Sequence, residues 1–375
     1  MTLLEPELFE LLRGFYSLVP PHDMNLPVQQ THSTIHTFLL DAILFNPHFR
    51  QYPPSTQYQK AFWKWIIDHL EHPTSDEACI FDFEIDPCIY EHYLSLLSPS
   101  GLRDQISSQG LLLQEPPSQS YITHFWKPSS TDTNPQPPHE IIDLPQYHTI
   151  TLFESRTTIE GGTTGLRTWL ASFVLSQHLI SHPDLVRNKR VLELGSGAGF
   201  LGIIIASLQQ LCVSNQSSSS LWLTDVNEEV LARCRHNLQM SCNCSSSHPS
   251  ISYRLLDWSA SLDPTSSLQL HTLLQDEINA ELILGADIIF DPTLIPALIG
   301  VLYLSLQHES NGPSKIALIA VTNRNQDTIN RFLDLAQEEK LQVVQLGKVP
   351  GRTTFFEVIE GNDVQNDVNI FKITL

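Results

Sequence analysis

Cations are scarce in this sequence: 21 Lys and Arg stand against 41 Asp and Glu in 375 residues, a formal net charge of -20. Phosphate backbones repel such a chain unless Lys and Arg gather into a groove, and no such cluster is present, so no direct nucleic-acid binding is expected. Cysteine is also sparse, with 6 residues, too few for a disulfide framework at this length; a reducing compartment is expected. No apolar run approaches the roughly 20 residues of a membrane span. The acidic start Met1-Thr2-Leu3-Leu4-Glu5-Pro6-Glu7 lacks the basic character of a signal or transit peptide, and a cytoplasmic location is expected. Charge is too thin, at 17%, for a coiled coil, whereas 41% hydrophobic residues exceed what a disordered chain carries.

What is present falls into three parts. Residues 1–110 read as a helical domain, with Leu3, Leu4, Leu8, Leu11, Leu12 and Phe15 at helical spacing before Pro20-Pro21. Further helical stretches are Ile35 to Leu44, a run after Pro53-Pro54-Ser55 through Leu70, and about Pro87 to Leu97. Residues 111–146 read as a Pro/Ser-rich linker, punctuated by Pro116-Pro117, Pro128-Ser129-Ser130 and Pro135-Gln136-Pro137-Pro138. Residues 147–375 alternate short β-rich runs with helical patterns. The runs begin at Arg190, Leu221, Ile251, Glu281, Lys315, Leu341 and Val368; helical patterns intervene at 199–210, 228–240, 294–306 and 327–340. Such alternation predicts an α/β fold with a doubly wound, mainly parallel sheet, its ligand beyond the carboxyl ends of the strands. Ser217-Ser218-Ser219-Ser220 and Ser245-Ser246-Ser247 read as surface loops.

The strongest local signal is Val191-Leu192-Glu193-Leu194-Gly195-Ser196-Gly197-Ala198-Gly199. An apolar strand enters a glycine-rich turn and then a helix, which lets a ligand approach the main chain. A dinucleotide fingerprint would need glycine at Phe200; the observed spacing is E-x-G-x-G-x-G. Asp225 ends the next strand and suits the ribose hydroxyls of an adenosine cofactor, or else an N-cap before Glu228-Glu229. Asp257-Trp258 follows the third strand, where the acid can face an adenine amine and the ring can border the base; a structural Trp is the alternative. Asp287-Ile288-Ile289-Phe290 follows the fourth strand. There a carboxylate can hold a substrate ammonium and an apolar wall can orient its stem, unless Asp287 is only a helix-start acid. Gly161 to Trp169 resembles a lid or entry loop before an amphipathic helix, with Trp169 placed to cover a cofactor; a generic helix start is the alternative. Cys242, Cys244 and His248 lack the second cysteine pair of a zinc site, so no metal is expected.

These motifs resemble those of class I S-adenosylmethionine-dependent methyltransferases: the glycine-rich turn is similar to their motif I, and Asp287 to Phe290 to the D-x-x-Y motif of the seven-strand enzymes that methylate protein lysines, with Phe290 in the tyrosine place. The likeness continues through Leu44-Phe45-Asn46-Pro47-His48-Phe49-Arg50-Gln51-Tyr52-Pro53-Pro54-Ser55, Ile150 to Ser155, Gly162-Thr163-Thr164-Gly165-Leu166, Thr322-Asn323-Arg324-Asn325 and Ile373-Thr374-Leu375. Together they resemble the eukaryotic elongation factor 2 lysine methyltransferase family. That resemblance implies a Rossmann-like, seven-stranded catalytic domain behind an N-terminal helical domain that recognises the substrate. It implies S-adenosyl-L-methionine as cofactor and elongation factor 2 as partner; a monomeric protein is expected. Cofactor contacts would fall on Trp169, Glu193, Gly195, Ser196, Gly197, Gly199, Asp225, Asp257, Trp258 and Ala286, and the substrate lysine on Asp287 and Phe290. A different protein lysine, a small-molecule substrate, or a non-catalytic scaffold are the alternatives.

Overall fold

The computed structural model describes residues 3–71, 84–97, 119–128, 141–211, 219–307, 314–349 and 366–375. The chain divides into two units, Met1–Thr157 and Thr158–Leu375.

In the first unit, strand β1 (Leu3–Leu4) leads into helix α1 (Pro6–Tyr16). Pro6 fits the first helical turn because its missing N–H would be unbonded there in any case. The helix buries Leu8, Phe9, Leu11, Leu12, Phe15 and Tyr16. It stops before the expected Pro20-Pro21, because Leu18 turns to φ +61°. Thr31 caps α2 (His32–Phe38) through Thr34 N–H, and a π-helical continuation runs over Leu39–Leu44. Asn46 caps the short α3 (Pro47–Gln51). Helices α4 (Thr56–Glu71) and α5 (Pro87–Leu97) complete the helical set, and Phe62, Trp63, Ile66 and Ile89 are fully buried. Burying each such side chain contributes about 1.5–3 kcal/mol.

The linker expectation needs correcting over part of its length. Ser120–Trp126 is a strand, β2, paired antiparallel with β4 (His148–Glu154) from Ser120↔Glu154 to Trp126↔His148. A further strand, β3 (Ile142–Asp143), pairs with β1. Phe125, Ile142, Leu144 and Tyr147 pack against the helical core, so the boundary falls after Thr157 and not at 146. The reason is long-range: polar β2 residues find partners inside, far away in sequence. Thr123 Oγ1 lies 3.0 Å from Thr151 Oγ1 and 2.9 Å from His48 Nε2, and His124 Nδ1 is 3.4 Å from Ser17 Oγ. The Pro-rich stretches at 116–117 and 135–138 lie outside the described residues.

The second unit is built on seven strands: β5 (Arg190–Leu194), β6 (Ser220–Asp225), β7 (Ile251–Leu255), β8 (Leu282–Ala286), β9 (Ile316–Thr322), β10 (Gln342–Val349) and β11 (Val368–Thr374). Their order is β10-β11-β9-β8-β5-β6-β7, with β5 to β9 parallel and β11 antiparallel to both its neighbours. The helices are α6 (Leu170–Ser181), α7 (Phe200–Leu211), α8 (Glu228–Leu238), α9 (Pro264–Thr272), α10 (Ile295–Leu306) and α11 (Gln326–Glu338). The expected α/β fold is borne out. Leu192, Leu194, Ile283, Ile319 and Val321 face the α10 and α11 layer, and the alternate residues of β5 face α7. Strands buried on both faces read as near-continuous apolar runs, which is what the sequence shows.

Three local expectations change. Helix α6 is not amphipathic: Leu170, Ala171, Phe173, Val174, Leu175, Ser176, Leu179 and Ile180 are all buried. Helix α9 had no periodic signal. Ser245–Ser247 is a tight helical turn rather than a free loop, with Ser245 buried and its hydroxyl donating to Leu238 O at 2.8 Å. Ser217 and Ser218 lie outside the described residues, and Ser220 opens β6.

The buried histidines of the first unit make its stability acid-sensitive. Burial pulls His48 down to about 4 and His124 down to about 3. Between those values and the ordinary imidazole range near 6.5 the unfolded chain binds more protons than the folded one, so stability falls as pH falls through that window. Hydrogen exchange of β2 and β4 amides is expected to accelerate from pH 7 to pH 5, beyond the intrinsic pH effect. The acceleration is expected to shrink in His124→Gln.

Candidate active site

The site forms where β5, β6, β7 and β8 end, because parallel strands deliver their following loops to one edge of the sheet. After Leu194 the chain turns through Gly195, Gly197 and Gly199, at φ +65°, +53° and +93°. A side chain at Gly199 would also stand 2.7 Å from Leu238 Cδ1 and 3.0 Å from Cys234 Sγ, so α7 and α8 approach closely only with glycine there. Ser196 stitches the turn to β6: its N–H donates to Thr224 O at 2.8 Å, and its Oγ accepts from Thr224 N–H at 3.1 Å. Thr224 Oγ1 in turn donates to Glu193 O at 2.7 Å.

Asp225 stands beside this turn. Its Oδ2 accepts from Gly197 N–H at 3.3 Å and its Oδ1 from Asn227 N–H at 3.0 Å. The N-cap of α8 is Asn227, whose Oδ1 accepts from Glu229 and Val230 N–H, so the alternative role foreseen for Asp225 belongs to its neighbour. Burial raises the Asp225 pKa, while the backbone N–H groups of Asn227, Gly197 and Val226 oppose that rise.

Glu193 faces the α7 side and is fully enclosed. Its Oε2 has no hydrogen-bond partner among the described residues. Burial pushes its carboxyl up to about 8; the Ser196 hydroxyl pulls the other way, and nearby Asp225 adds to the rise. Asp257 is exposed and caps the turn Trp258–Leu262 by accepting Ser259 N–H at 2.9 Å. The Trp258 ring lies 3.7 Å from the place a Gly195 side chain would take, and Ile288 lies 2.9 Å from it. Ala286 ends β8 opposite Ala320.

Asp287 adopts φ +54° and is used internally. Its Oδ1 accepts Thr322 N–H at 2.8 Å, and its Oδ2 accepts Thr322 Oγ1–H at 2.8 Å and Ala171 N–H at 3.4 Å. Arg324 pairs with it at 3.4 Å, and the Asp287 side chain is only 4% exposed. It does not start a helix, since α10 begins at Ile295 with Leu294 as its cap residue. Thr322, Arg324 and the first turn of α6 thus already occupy this carboxylate, which residue spacing did not reveal. Phe290, by contrast, is 56% exposed.

The loop Gly161–Trp169 sits against the glycine turn. Gly165 O is 3.2 Å from the Cβ position of Gly197, and Trp169 Nε1–H donates to Thr164 O at 3.1 Å. The Arg324 guanidinium lies over the Trp169 ring, 5.1 Å from its centre. Thus the structure brings Trp169, Gly195, Ser196, Gly197, Asp225, Trp258, Ala286 and Asp287 around one edge, with Glu193 beneath it. Thr224, Asn227, Ile288 and Arg324 belong to the same framework and carried no motif signal of their own, apart from the Thr322-Asn323-Arg324-Asn325 likeness. His248 is engaged with Gln209 and Ser250. No group of three or more His, Cys, Asp or Glu among the described residues could hold a metal, and no described helix is long and apolar enough to cross a membrane.

Comparison with known proteins agrees with this geometry. A profile described as lysine methyltransferase matches residues 148–339. The chain belongs to the lysine methyltransferase family. Among curated relatives, the protein-lysine N-methyltransferase EFM3 of Chaetomium thermophilum is 36% identical over 192 residues, covering 49% of this chain and 50% of that protein. The protein-lysine N-methyltransferase EEF2KMT of Homo sapiens is 29% identical over 201 residues, 52% of this chain and 56% of that protein. Its Bos taurus counterpart is 29% identical over 219 residues, 54% of this chain and 60% of that protein. The chain spans about half the length of the curated relatives it matches.

Glu193 generates a pH signature. Its folded value lies above the ordinary carboxylate value, so the folded chain holds a proton that the unfolded chain releases. Stability is therefore lost as pH rises from that ordinary value towards about 8. In thermal melts without ligand, Glu193→Gln is expected to gain on the native chain steadily from pH 5 to pH 8.5. A constant gap across that range would show that Glu193 does not hold its proton.

Proposed function

We propose that this chain is an S-adenosyl-L-methionine-dependent protein-lysine N-methyltransferase acting on elongation factor 2, as a monomer in the cytoplasm. Family membership supports lysine as the acceptor. The observation that carries the cofactor reading is the closure of the Gly195–Gly199 turn on Asp225, beside Trp258 and at the ends of parallel strands. The residues present fit that group. Asp225 offers acceptor lone pairs to vicinal ribose hydroxyls, the glycines leave the main chain open, and the Trp258 ring offers an apolar surface to a base. Trp169 and Ala286 border the same edge, while the buried Glu193 carboxyl meets the Ser196 hydroxyl beneath the turn.

The cofactor supplies an electrophilic methyl carbon. The chain must admit a lysine, whose ammonium has a reference pKa of about 10.4 and attacks carbon only after losing its proton. The acidic surface implied by a net charge of -20 draws a cationic side chain in. Phe290, exposed after β8, is an apolar wall for the lysine stem. Asp287, paired with Arg324, serves this site from behind, holding α6 and the β9 end in place. The first unit, with its separate core, is read as the surface that selects a folded protein substrate.

Asp225→Ala and Gly195→Arg are expected to abolish most binding of S-adenosyl-L-methionine in calorimetry. The loss for Asp225→Ala is roughly ten- to hundredfold, as for a hydrogen bond to a charged acceptor. Native binding in both folded variants would remove the cofactor assignment.

Substrate identity is tested by incubating the chain with labelled cofactor and purified elongation factor 2, beside a cell extract lacking this activity. Mass spectrometry is expected to find methylated lysine on elongation factor 2. Label on another protein would redirect the substrate reading and leave the reaction class intact. A chain starting at Thr158 is expected to bind cofactor yet lose most of this transfer; full transfer would exclude a recognition role for the first unit.

A further inference from the structure

We propose that Arg324 is a positioning residue that fastens the Gly161–Trp169 loop over the glycine turn, and so sets the affinity for the adenosyl cofactor. The proposal rests on the cofactor reading above.

Two side chains meet Arg324, and one of them reaches on to α6. Its guanidinium pairs with the buried Asp287 carboxylate, with Nη1 3.4 Å from Oδ1 and Nη2 3.4 Å from Oδ2. The same group lies over the Trp169 ring, 5.1 Å from its centre. Asp287 Oδ2 also accepts Ala171 N–H, in the first turn of α6, directly after Trp169. Trp169 is the cap residue of that helix and offers no side-chain cap bond, so the carboxylate does that work from the loop after β8. One arginine therefore neutralises the acid that caps α6 and covers the indole that precedes it.

The loop is tied to the ligand edge at its other end. Trp169 Nε1–H donates to Thr164 O, Gly165 N–H donates to Thr163 Oγ1, and Gly165 O stands against Gly197. Gly165 also abuts Val230 on α8, at 2.8 Å from its Cβ position. A displaced indole pulls Thr164 and Gly165 with it, and Gly197 is the residue that meets Asp225. Arg324 thus acts on the turn through Trp169 without entering it.

Lysine cannot replace arginine here. An ammonium keeps the charge beside Asp287 but lacks the flat face that stacks on an indole while its edge meets a carboxylate. Alanine would strand a buried, uncompensated carboxylate and threatens folding itself, so Arg324→Lys is the decisive variant.

The test combines calorimetric binding of S-adenosyl-L-methionine with trypsin cleavage at Arg167, on the full chain and without substrate protein. Arg324→Lys is expected to keep the native melting temperature within a few degrees, bind about three- to tenfold more weakly, and open Arg167 to cleavage several-fold faster. Trp169→Leu, which also removes the Arg167 guanidinium's contact with the ring at 5.8 Å, is compared by affinity alone: it is expected to bind at least as weakly as Arg324→Lys, and the double variant to be no worse than Trp169→Leu, because the Arg324 effect on the turn passes through the indole. Native affinity and native cleavage in Arg324→Lys, or additive losses in the double variant, would overturn the positioning role. If the unaltered chain fails to bind, the cofactor reading falls and takes this inference with it; if the unaltered chain binds and the variants match it, only this inference falls.

Discussion

Everything at the ligand edge depends on how β5 hands the chain to α7. The turn closes through three left-handed glycines, and Ser196 and Thr224 lock it to β6 by a reciprocal pair of hydrogen bonds. Because Thr224 precedes Asp225, that lock also sets where the Asp225 carboxylate meets Gly197. Asn227 then starts α8 two residues later, and α8 packs back on Gly199 through Cys234 and Leu238. A side chain at Gly199 would push α8 outward and carry Asn227 and Asp225 with it.

Acidic residues at this edge do different work because their surroundings differ. Asp225 accepts main-chain N–H groups and keeps part of its surface available. Glu193, one strand inward, is enclosed and shifted towards its neutral form by burial. Asp287 is nearly as enclosed but has an arginine, a threonine and a helix N-terminus to satisfy it. Its partners make Asp287 a fastener between β8, β9 and α6.

The first unit follows another logic. Its aromatic side chains form a dense apolar cluster, with Phe15 against Phe62 at 4.5 Å and Phe9 against Tyr147 at 4.8 Å between ring centres. Against this core a strand pair buries Thr123, Thr151 and His124. Mutual hydrogen bonds make that burial tolerable, and burial itself leaves the unit with imidazoles that resist protonation.

Local pattern in the sequence was enough for much of this. Apolar runs of strand length alternating with helical spacing announced the sheet of the second unit, since strands covered on both faces must be apolar throughout. Glycines at Gly195, Gly197 and Gly199 with Asp225 and Asp287 marked the loops that follow β5, β6 and β8, because each loop type demands few residue types. Strand β2 escaped notice because its polar residues are satisfied by β4, 28 positions away in the Thr123–Thr151 pair, and by α3. The antiparallel insertion of β11 between β9 and β10 is likewise a matter of long-range pairing. Above all, the residue type of Asp287 showed that a carboxylate stands after β8, and nothing in the spacing showed where it points. Only the folded chain brings Ala171, Thr322 and Arg324 around it, since hydrogen bonds and ion pairs depend on distances in space that residue order alone does not encode locally.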